Sequence, residues 1–228
     1  MTETELIPAL ANAPMIQATT QPRLFLAGSL VAQQLLGSQD AELLALSEYA
    51  QYLRYMSLVT DRDIWADAQS GFGNALNTYY TVQELARSGA AGIVLNDQRY
   101  PAHSQGQAQP VSPVEFFGKL RAAKDALRDE SITLIAELDG WTTYGLSGLQ
   151  ERTTQAYKAG ADLVLLGHCT ELALDQLPAS MWQAGLAIQH TATSQTVTQL
   201  LKNKFKAVLD LDYFQQLQPK NQLVGRQL

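Results

Sequence analysis

IWADAQSGFGNALNTYYTVQELARSGAAGIVLNDQRYP, residues Ile64 to Pro101, is the stretch from which the rest of the chain can be read. An apolar run, Ile64 to Asp67, ends on a carboxylate, and Gly71-Phe72-Gly73-Asn74 follows as a turn. A helix-forming stretch around Val82 stops at Gly89, and a second apolar run, Gly92 to Leu95, begins within a few residues of that glycine. Short strands covered on both faces read as continuous apolar runs, and a glycine past the last helical turn supplies the left-handed backbone that ends a helix. The segment therefore predicts strand, turn, helix and strand, the repeating unit of a parallel sheet.

The same alternation continues downstream, with strand candidates at Thr133 to Ala136, Leu163 to Leu166, Leu186 to Gln189 and Ala207 to Leu209. Upstream, RLFLAG (Arg23 to Gly28) reads as a further strand and PMIQAT (Pro14 to Thr19) as a weaker one, with no helix between the two. Among the helices, Ser112 is placed to cap a helix with Pro113 in its first turn and Glu115 three residues on, which is the capping-box spacing. Ala41 to Val59 puts Leu43, Leu46, Leu53 and Met56 near one helical face, and the helix around Tyr157 stops at Gly160. Eight strands, counting PMIQAT, make a closed barrel, whereas six fit an open doubly wound sheet equally well, and periodicity alone leaves both standing. A chain of 228 residues can bury one large core, so one domain over residues 1–228 is expected.

Composition narrows the partners. A formal charge of −6 with only 16 Lys and Arg argues against a polyanion such as nucleic acid, whose phosphates demand clustered cations. A single cysteine, Cys169, cannot form an internal disulfide, in keeping with a reducing compartment. The opening MTETELIPALANAP is acidic and broken by Pro8 and Pro14, unlike a signal peptide, and no apolar stretch is long enough to span a bilayer. A cytoplasmic protein without a membrane partner is the expectation.

With its strand-end Asp67, its Gly71-Phe72-Gly73-Asn74 turn and a strand ending in Asn96-Asp97-Gln98, the segment Ile64 to Pro101 resembles the core of the isocitrate lyase and phosphoenolpyruvate mutase superfamily. KLRAAKDALRD (Lys119 to Asp129), ERTTQAYKAGAD (Glu151 to Asp162) and Leu24 to Glu48 extend the likeness, the last through GSQDAELLALSE, which looks like the family's gating-loop segment. The resemblance implies a (β/α)8 TIM-type barrel, here truncated at the first helix and at the C-terminal helices. It implies chemistry in which Mg²⁺ holds a 2-oxo acid while a C–C or P–C bond is cleaved or rearranged, a task that suits a hard cation with oxygen ligands. The expected ligand is a small-molecule carboxylate or phosphonate. A homo-oligomer is compatible with the pattern, but without the family's exchange of C-terminal helices.

Asp67 matches the family's principal metal-binding aspartate and Asp40 the aspartate of its mobile loop. Gln69 stands where a second acidic residue is usual, and Asn96 where the family has glutamate, so the implied metal set of Asp67, Gln69 and Asn96 has lost two charges and should hold Mg²⁺ weakly. Gly71, Phe72 and Gly73 are the implied substrate-binding turn, joined by Glu137, which replaces an arginine that clamps the substrate carboxylate. In the loop PAHSQG, Ala102, His103 and Ser104 occupy the places of a Lys-Lys/Arg-Cys motif; Ser104 cannot act as the thiolate does, and His103 is the candidate base. His103, His168 and His190 all fall near strand ends, so with Asp67 and Glu137 they offer an alternative transition-metal site at His168 and His190. Two functions follow: a lyase or phosphomutase-type enzyme with a weakened magnesium site, or an inactive relative that keeps the barrel to bind a small molecule or to assemble.

Overall fold

Side chains on successive strand residues point to opposite faces, and in this chain that alternation sets both the core and the site above it. The computed structural model describes residues 4–101, 109–128, 130–167, 174–190 and 196–214. Eight parallel strands close into a barrel in sequence order: β1 (Glu5–Leu10), β2 (Arg23–Leu26), β3 (Asp63–Asp67), β4 (Gly92–Asn96), β5 (Thr133–Leu138), β6 (Leu163–Leu166), β7 (Leu186–His190) and β8 (Ala207–Asp210). The last strand bonds back to the first with Glu5 opposite Ala207 and Pro8 opposite Asp210, which leaves no sheet edge. Outside them run α1 (Ala13–Gln17), α2 (Gly28–Leu36), α3 (Leu46–Ser57), α4 (Ala75–Arg87), α5 (Pro113–Ala126), α6 (Trp141–Ala159), α7 (Ala179–Ala184) and α8 (Val197–Leu201).

The core has two compartments. Ile7, Ala9, Phe25, Trp65, Val94, Ile135, Leu165, Ala187 and Leu209 fill the barrel interior. Their neighbours in sequence, among them Leu24, Ile64, Ile93, Leu134, Val164 and Val208, pack outward against the helices. At the N-terminal end the barrel is plugged by Arg23, whose guanidinium lies 5.3 Å from the centre of the Trp65 ring and pairs with Glu5 and Asp63. Gly92 stands opposite Trp65 on β4, and a Cβ there would lie 2.4 Å from the Trp65 Cδ1, so the indole fits only because that side chain is missing.

Three sequence expectations are corrected. PMIQAT is not a strand: Asn12 caps Met15, Pro14 sits in the first turn, and Ala13–Gln17 form α1. The first strand is ELIPAL, Glu5–Leu10, whose Pro8 falls outside the short ladder to β2, which pairs only Ala9 with Phe25 and Leu10 with Leu26. A short helix therefore does join the first two strands, and the truncation there is of length. RLFLAG stops as a strand at Leu26, and Gly28 already begins α2. Ala41 to Val59 is not one helix but a 3₁₀ turn at Ala41–Leu43, capped by Asp40, followed by α3 from Leu46. The Ser112 cap is as read, its Oγ accepting from the Glu115 N–H at 3.2 Å. No described helix is long and apolar enough to cross a membrane.

Replacing Gly92 with alanine should lower the unfolding free energy by about 1–3 kcal/mol, the usual cost of overpacking a filled core. Urea denaturation read by Trp fluorescence measures it; an unchanged midpoint would show that the indole can move aside.

Candidate active site

A cavity of ≈ 320 Å³ opens at the C-terminal end of the barrel, lined by Phe25, Ala27, Ser29, Leu30, Gln39, Ala41, Glu42, Asp67, Gln69, Asn96, Glu137, Asp139, Gln189, Leu211 and Asp212. Strand parity puts the polar members there. Asp67, Asn96, Glu137 and Gln189 each lie two residues beyond an interior side chain, namely Trp65, Val94, Ile135 and Ala187, and so form the layer above them.

Asp67 is the most firmly held. The Gly28 N–H donates to its Oδ2 at 2.9 Å and the Gln69 N–H to its Oδ1 at 2.8 Å. Its own N–H donates at 2.8 Å to the hydroxyl of Tyr49, which in turn donates to the Leu26 carbonyl, so one fully buried tyrosine on α3 ties the ends of β2 and β3. Gly28 is required for this approach, because a Cβ there would lie 2.9 Å from Asp67 Oδ2. Burial raises the Asp67 carboxyl to about 6 against the lowering effect of the two N–H bonds, with Asp139 adding to the rise.

Around it the site is crowded with carboxylates. Glu137, 5% exposed, accepts from Gln189 Nε2 at 3.0 Å through Oε1, and burial together with Asp139, Asp67 and Asp97 pushes its carboxyl well above the usual range. Asp97 is sealed beneath them: Oδ1 accepts from the Asp139 N–H and from Gln98 Nε2, both at 3.0 Å, while Oδ2 pairs with Arg152 at 3.1 Å. Even so, burial and Asp139 raise Asp97 to about 6. The Arg152 guanidinium also donates to the Val111 carbonyl and lies 4.5 Å from the centre of the Tyr144 ring, so its charge is spent on Asp97 and not on the cavity.

The donors facing the cavity are carboxylate and amide oxygens, which suit a hard cation and not a soft one. Gln69 Nε2 is committed to the Ala41 carbonyl at 3.1 Å, and its Oε1, buried, has no hydrogen-bond partner. Among the described residues no group of three or more His, Cys, Asp or Glu is arranged to hold a metal ion. The chemistry of these oxygens fits a divalent cation, and Asp67 is the residue that would hold it.

Of the residues singled out in the sequence, the fold brings Asp67, Gln69, Asn96 and Glu137 into one cavity. Gly71, Phe72 and Gly73 lie in the turn leading to α4 and do not line it; Asp40 turns its Oδ1 back to the Glu42 N–H at 3.1 Å, while its neighbours Gln39, Ala41 and Glu42 form the wall. His190 ends β7 one residue after Gln189, so it faces the other way, where Nδ1 meets Asp210 Oδ1 at 2.8 Å; it is not grouped with Asp67 and Glu137. His103, Ser104, His168 and Cys169 lie outside the described residues. Sequence reading missed Tyr49, Gln189, Arg152 and Lys119, the last buried with its Nζ donating to the Ser70 carbonyl at 2.9 Å beneath the glycine turn. Nothing local in the sequence sets these four apart, since Lys119 follows Glu115 by four residues and Arg152 follows Glu151, as charges on a solvated helix face do.

The sequence model for phosphoenolpyruvate phosphomutase matches residues 10–208, most of the chain. The chain belongs to the phosphoenolpyruvate phosphomutase family. Relatives in this family include an oxaloacetate decarboxylase of Rhodopseudomonas palustris, 36% identical over 155 residues that make up 67% of this chain and 54% of the relative. An oxaloacetate decarboxylase of Pseudomonas putida is 37% identical over 145 residues, 62% of this chain and 49% of that one. The chain thus spans about half the length of the curated relatives it matches. Among solved structures, 2,3-dimethylmalate lyase superposes with a TM-score of 0.82 at 21% identity, over 92% of this chain and 74% of that one. Phosphonopyruvate hydrolase, solved with oxalate and Mg²⁺, does so at 0.77 and 22%, over 94% and 78%. At such identities the likeness speaks for the barrel fold alone.

Two outcomes test the electrostatics. Arg152→Met should destabilise the fold by about 3–5 kcal/mol, because it strands a buried carboxylate; urea unfolding of the variant reads this directly. Asp67 and Asp97 titrate near 6 when folded against an ordinary value of 3.8, so the folded chain binds more protons than the unfolded one between those limits. Their contribution is full below the ordinary value and is lost as pH rises through about 6. The urea midpoint should accordingly fall from pH 5 to pH 7, and a steady rise over that range would contradict the assignment.

Proposed function

We propose that this chain is a divalent-cation-assisted lyase that cleaves a C–C bond in a small 2-oxo or 2-hydroxy acid. The observation that supports it best is Asp67: a carboxylate at the end of β3, fixed by two backbone N–H groups and open to a cavity the size of a small acid. A carboxylate buried without a counter-cation is costly, and a protein that invests Gly28, Tyr49 and the Gln69 turn in aiming one into a cavity has a use for its charge. The oxaloacetate decarboxylase relatives favour lyase chemistry on an acid of this size.

Asp67 is the group that would hold the cation, directly or through its waters. When bound, the cation would polarise the substrate oxygens and stabilise negative charge that develops as the bond breaks. The chain's own residues do the rest. Phe25, Ala27, Leu30 and Leu211 give the cavity an apolar side that limits water, and the segment carrying Gln39, Ala41 and Glu42 stands over its mouth. Among the described lining residues, the groups able to exchange a proton are the carboxyls.

A non-catalytic, ligand-binding role is the second reading, favoured by the neutral amides at Gln69 and Asn96. Thermal melts with MgCl₂ and a turnover screen of 2-oxo and 2-hydroxy acids, oxaloacetate first, separate the two. Saturating Mg²⁺ should raise Tm by a few degrees, roughly what one to three kcal/mol of binding energy gives a chain of this size. Asp67→Asn should abolish both the shift and turnover, with circular dichroism checking that the variant is folded, since its amide can accept from only one of the Gly28 and Gln69 N–H groups. No shift and no Asp67-dependent turnover would remove the enzymatic reading and leave the binding one.

A further inference from the structure

The ladder between β2 and β3 ends with Leu26 opposite Ala66. In a parallel ladder such a pair is closed by the N–H of the residue that follows, so the last rung runs from the Asp67 N–H to the Leu26 carbonyl. Those are the two groups that the Tyr49 hydroxyl engages, accepting from the Asp67 N–H at 2.8 Å and donating to the Leu26 carbonyl at 2.5 Å. A phenol can do both at once. Burial, with Asp67 adding to it, raises this one well above its ordinary value, so it keeps the proton it donates. The side chain is fully buried, and solvent does not compete for the hydroxyl.

That rung carries the seat of the carboxylate. Gly28 lies two residues past Leu26, and its N–H donates to Asp67 Oδ2 at 2.9 Å. Bonds of this kind weaken beyond about 3.2 Å, so a few tenths of an ångström of movement between the ends of β2 and β3 would release the carboxylate from Gly28. The helix α3 is built to hold these ends still. Tyr52, one turn on, donates to the Ala11 carbonyl at 2.6 Å just beyond β1, so two hydroxyls on one face of α3 grip the ends of three neighbouring strands. Of the two, Tyr49 is the one that reaches the rung bearing Asp67.

We propose that Tyr49 is a positioning residue of the site, whose hydroxyl sets the place of the Asp67 carboxylate, and through it the affinity for a divalent cation, without touching the carboxylate itself. This rests on the reading of Asp67 as the residue that holds the cation. Removing a group that orients a metal ligand from behind weakens metal binding by about ten- to a hundredfold.

Tyr49→Phe keeps the ring in the core and removes the hydroxyl, and Tyr52→Phe does the same one turn away as a control. Amide hydrogen exchange of the full chain, resolved by residue in ¹H–¹⁵N spectra, should show Gly28 exchanging at least about tenfold faster in Tyr49→Phe, with the amides of β5 and β6 unchanged. Tyr52→Phe should leave Gly28 as it is in the wild type. Calorimetric titration with MgCl₂ should give at least about tenfold weaker binding for Tyr49→Phe and wild-type binding for Tyr52→Phe. A Gly28 amide as protected as in the wild type would overturn the proposal. So would faster exchange shared equally with β5 and β6, since Tyr49 would then support only the fold as a whole. If Tyr49→Phe does not fold, the wild-type spectrum decides: a Tyr49 hydroxyl proton slow enough to observe, with a cross-peak to the Asp67 amide, is expected, and a hydroxyl in fast exchange with water is the opposing result. The two readings fail separately. Gly28 exchange that depends on Tyr49 in a chain that binds no Mg²⁺ keeps the positioning role and removes the cation, whereas Mg²⁺ bound equally by the wild type and Tyr49→Phe keeps the cation and removes Tyr49 from the site.

Discussion

The alternation of side chains along eight closed strands governs everything above it. Because Trp65, Val94, Ile135 and Ala187 must face inward to fill the barrel, the residues two positions later face inward too, at the level where the strands end and solvent begins. Those residues are Asp67, Asn96, Glu137 and Gln189. A one-residue slip in any of these strands would bury its polar member among the helices and turn an apolar one to the mouth, so core packing enforces the register of the site. His190 illustrates the rule from the other side. It is as close to the strand end as Gln189, yet parity sends it away from the cavity and gives it Asp210 as a partner.

Closure also explains how so much negative charge is tolerated. Asp97 has an arginine, two neutral donors and complete burial; Asp67 has two backbone N–H groups and a half-open setting; Glu137 has one amide. None of these arrangements fully offsets the loss of water around the carboxyls, so burial, with repulsion from Asp139 adding to it, makes Asp67, Asp97 and Glu137 hold their protons more tightly than free carboxyls do. The cluster is therefore a local cost that the packed barrel sustains.

How much of this the sequence disclosed depends on whether the interaction was local. Strand, turn and helix between Ile64 and Asn96 are encoded by neighbours, as is the Ser112 cap, and their boundaries were read to within a residue or two. The first strand was misread because Pro8 and Pro14 both look like breaks, whereas one lies beyond a short ladder and the other opens a helix; only the partner strands distinguish the two. Asp67, Gln69, Asn96 and Glu137 were found by resemblance to a family pattern, and the cavity they share needed the closed sheet. Tyr49 was read as neither core nor site, since its bonds to Leu26 and Asp67 span 23 and 18 residues. Arg152 and Lys119 look like surface charges of amphipathic helices until Asp97 and the Ser70 carbonyl are brought beneath them.

Gln69 gains a role that its loss of charge conceals. An aspartate or glutamate at this position has no hydrogen to give, whereas the amide donates to the Ala41 carbonyl and so ties the floor of the cavity to the segment at its mouth. That segment is further ordered from within, by Asp40 capping the turn at Ala41–Leu43 and by Glu48 accepting from the Ala45 N–H at the start of α3. The Gln69 amide thus helps hold this segment in place through a bond that an ionised carboxylate at the same position could not donate.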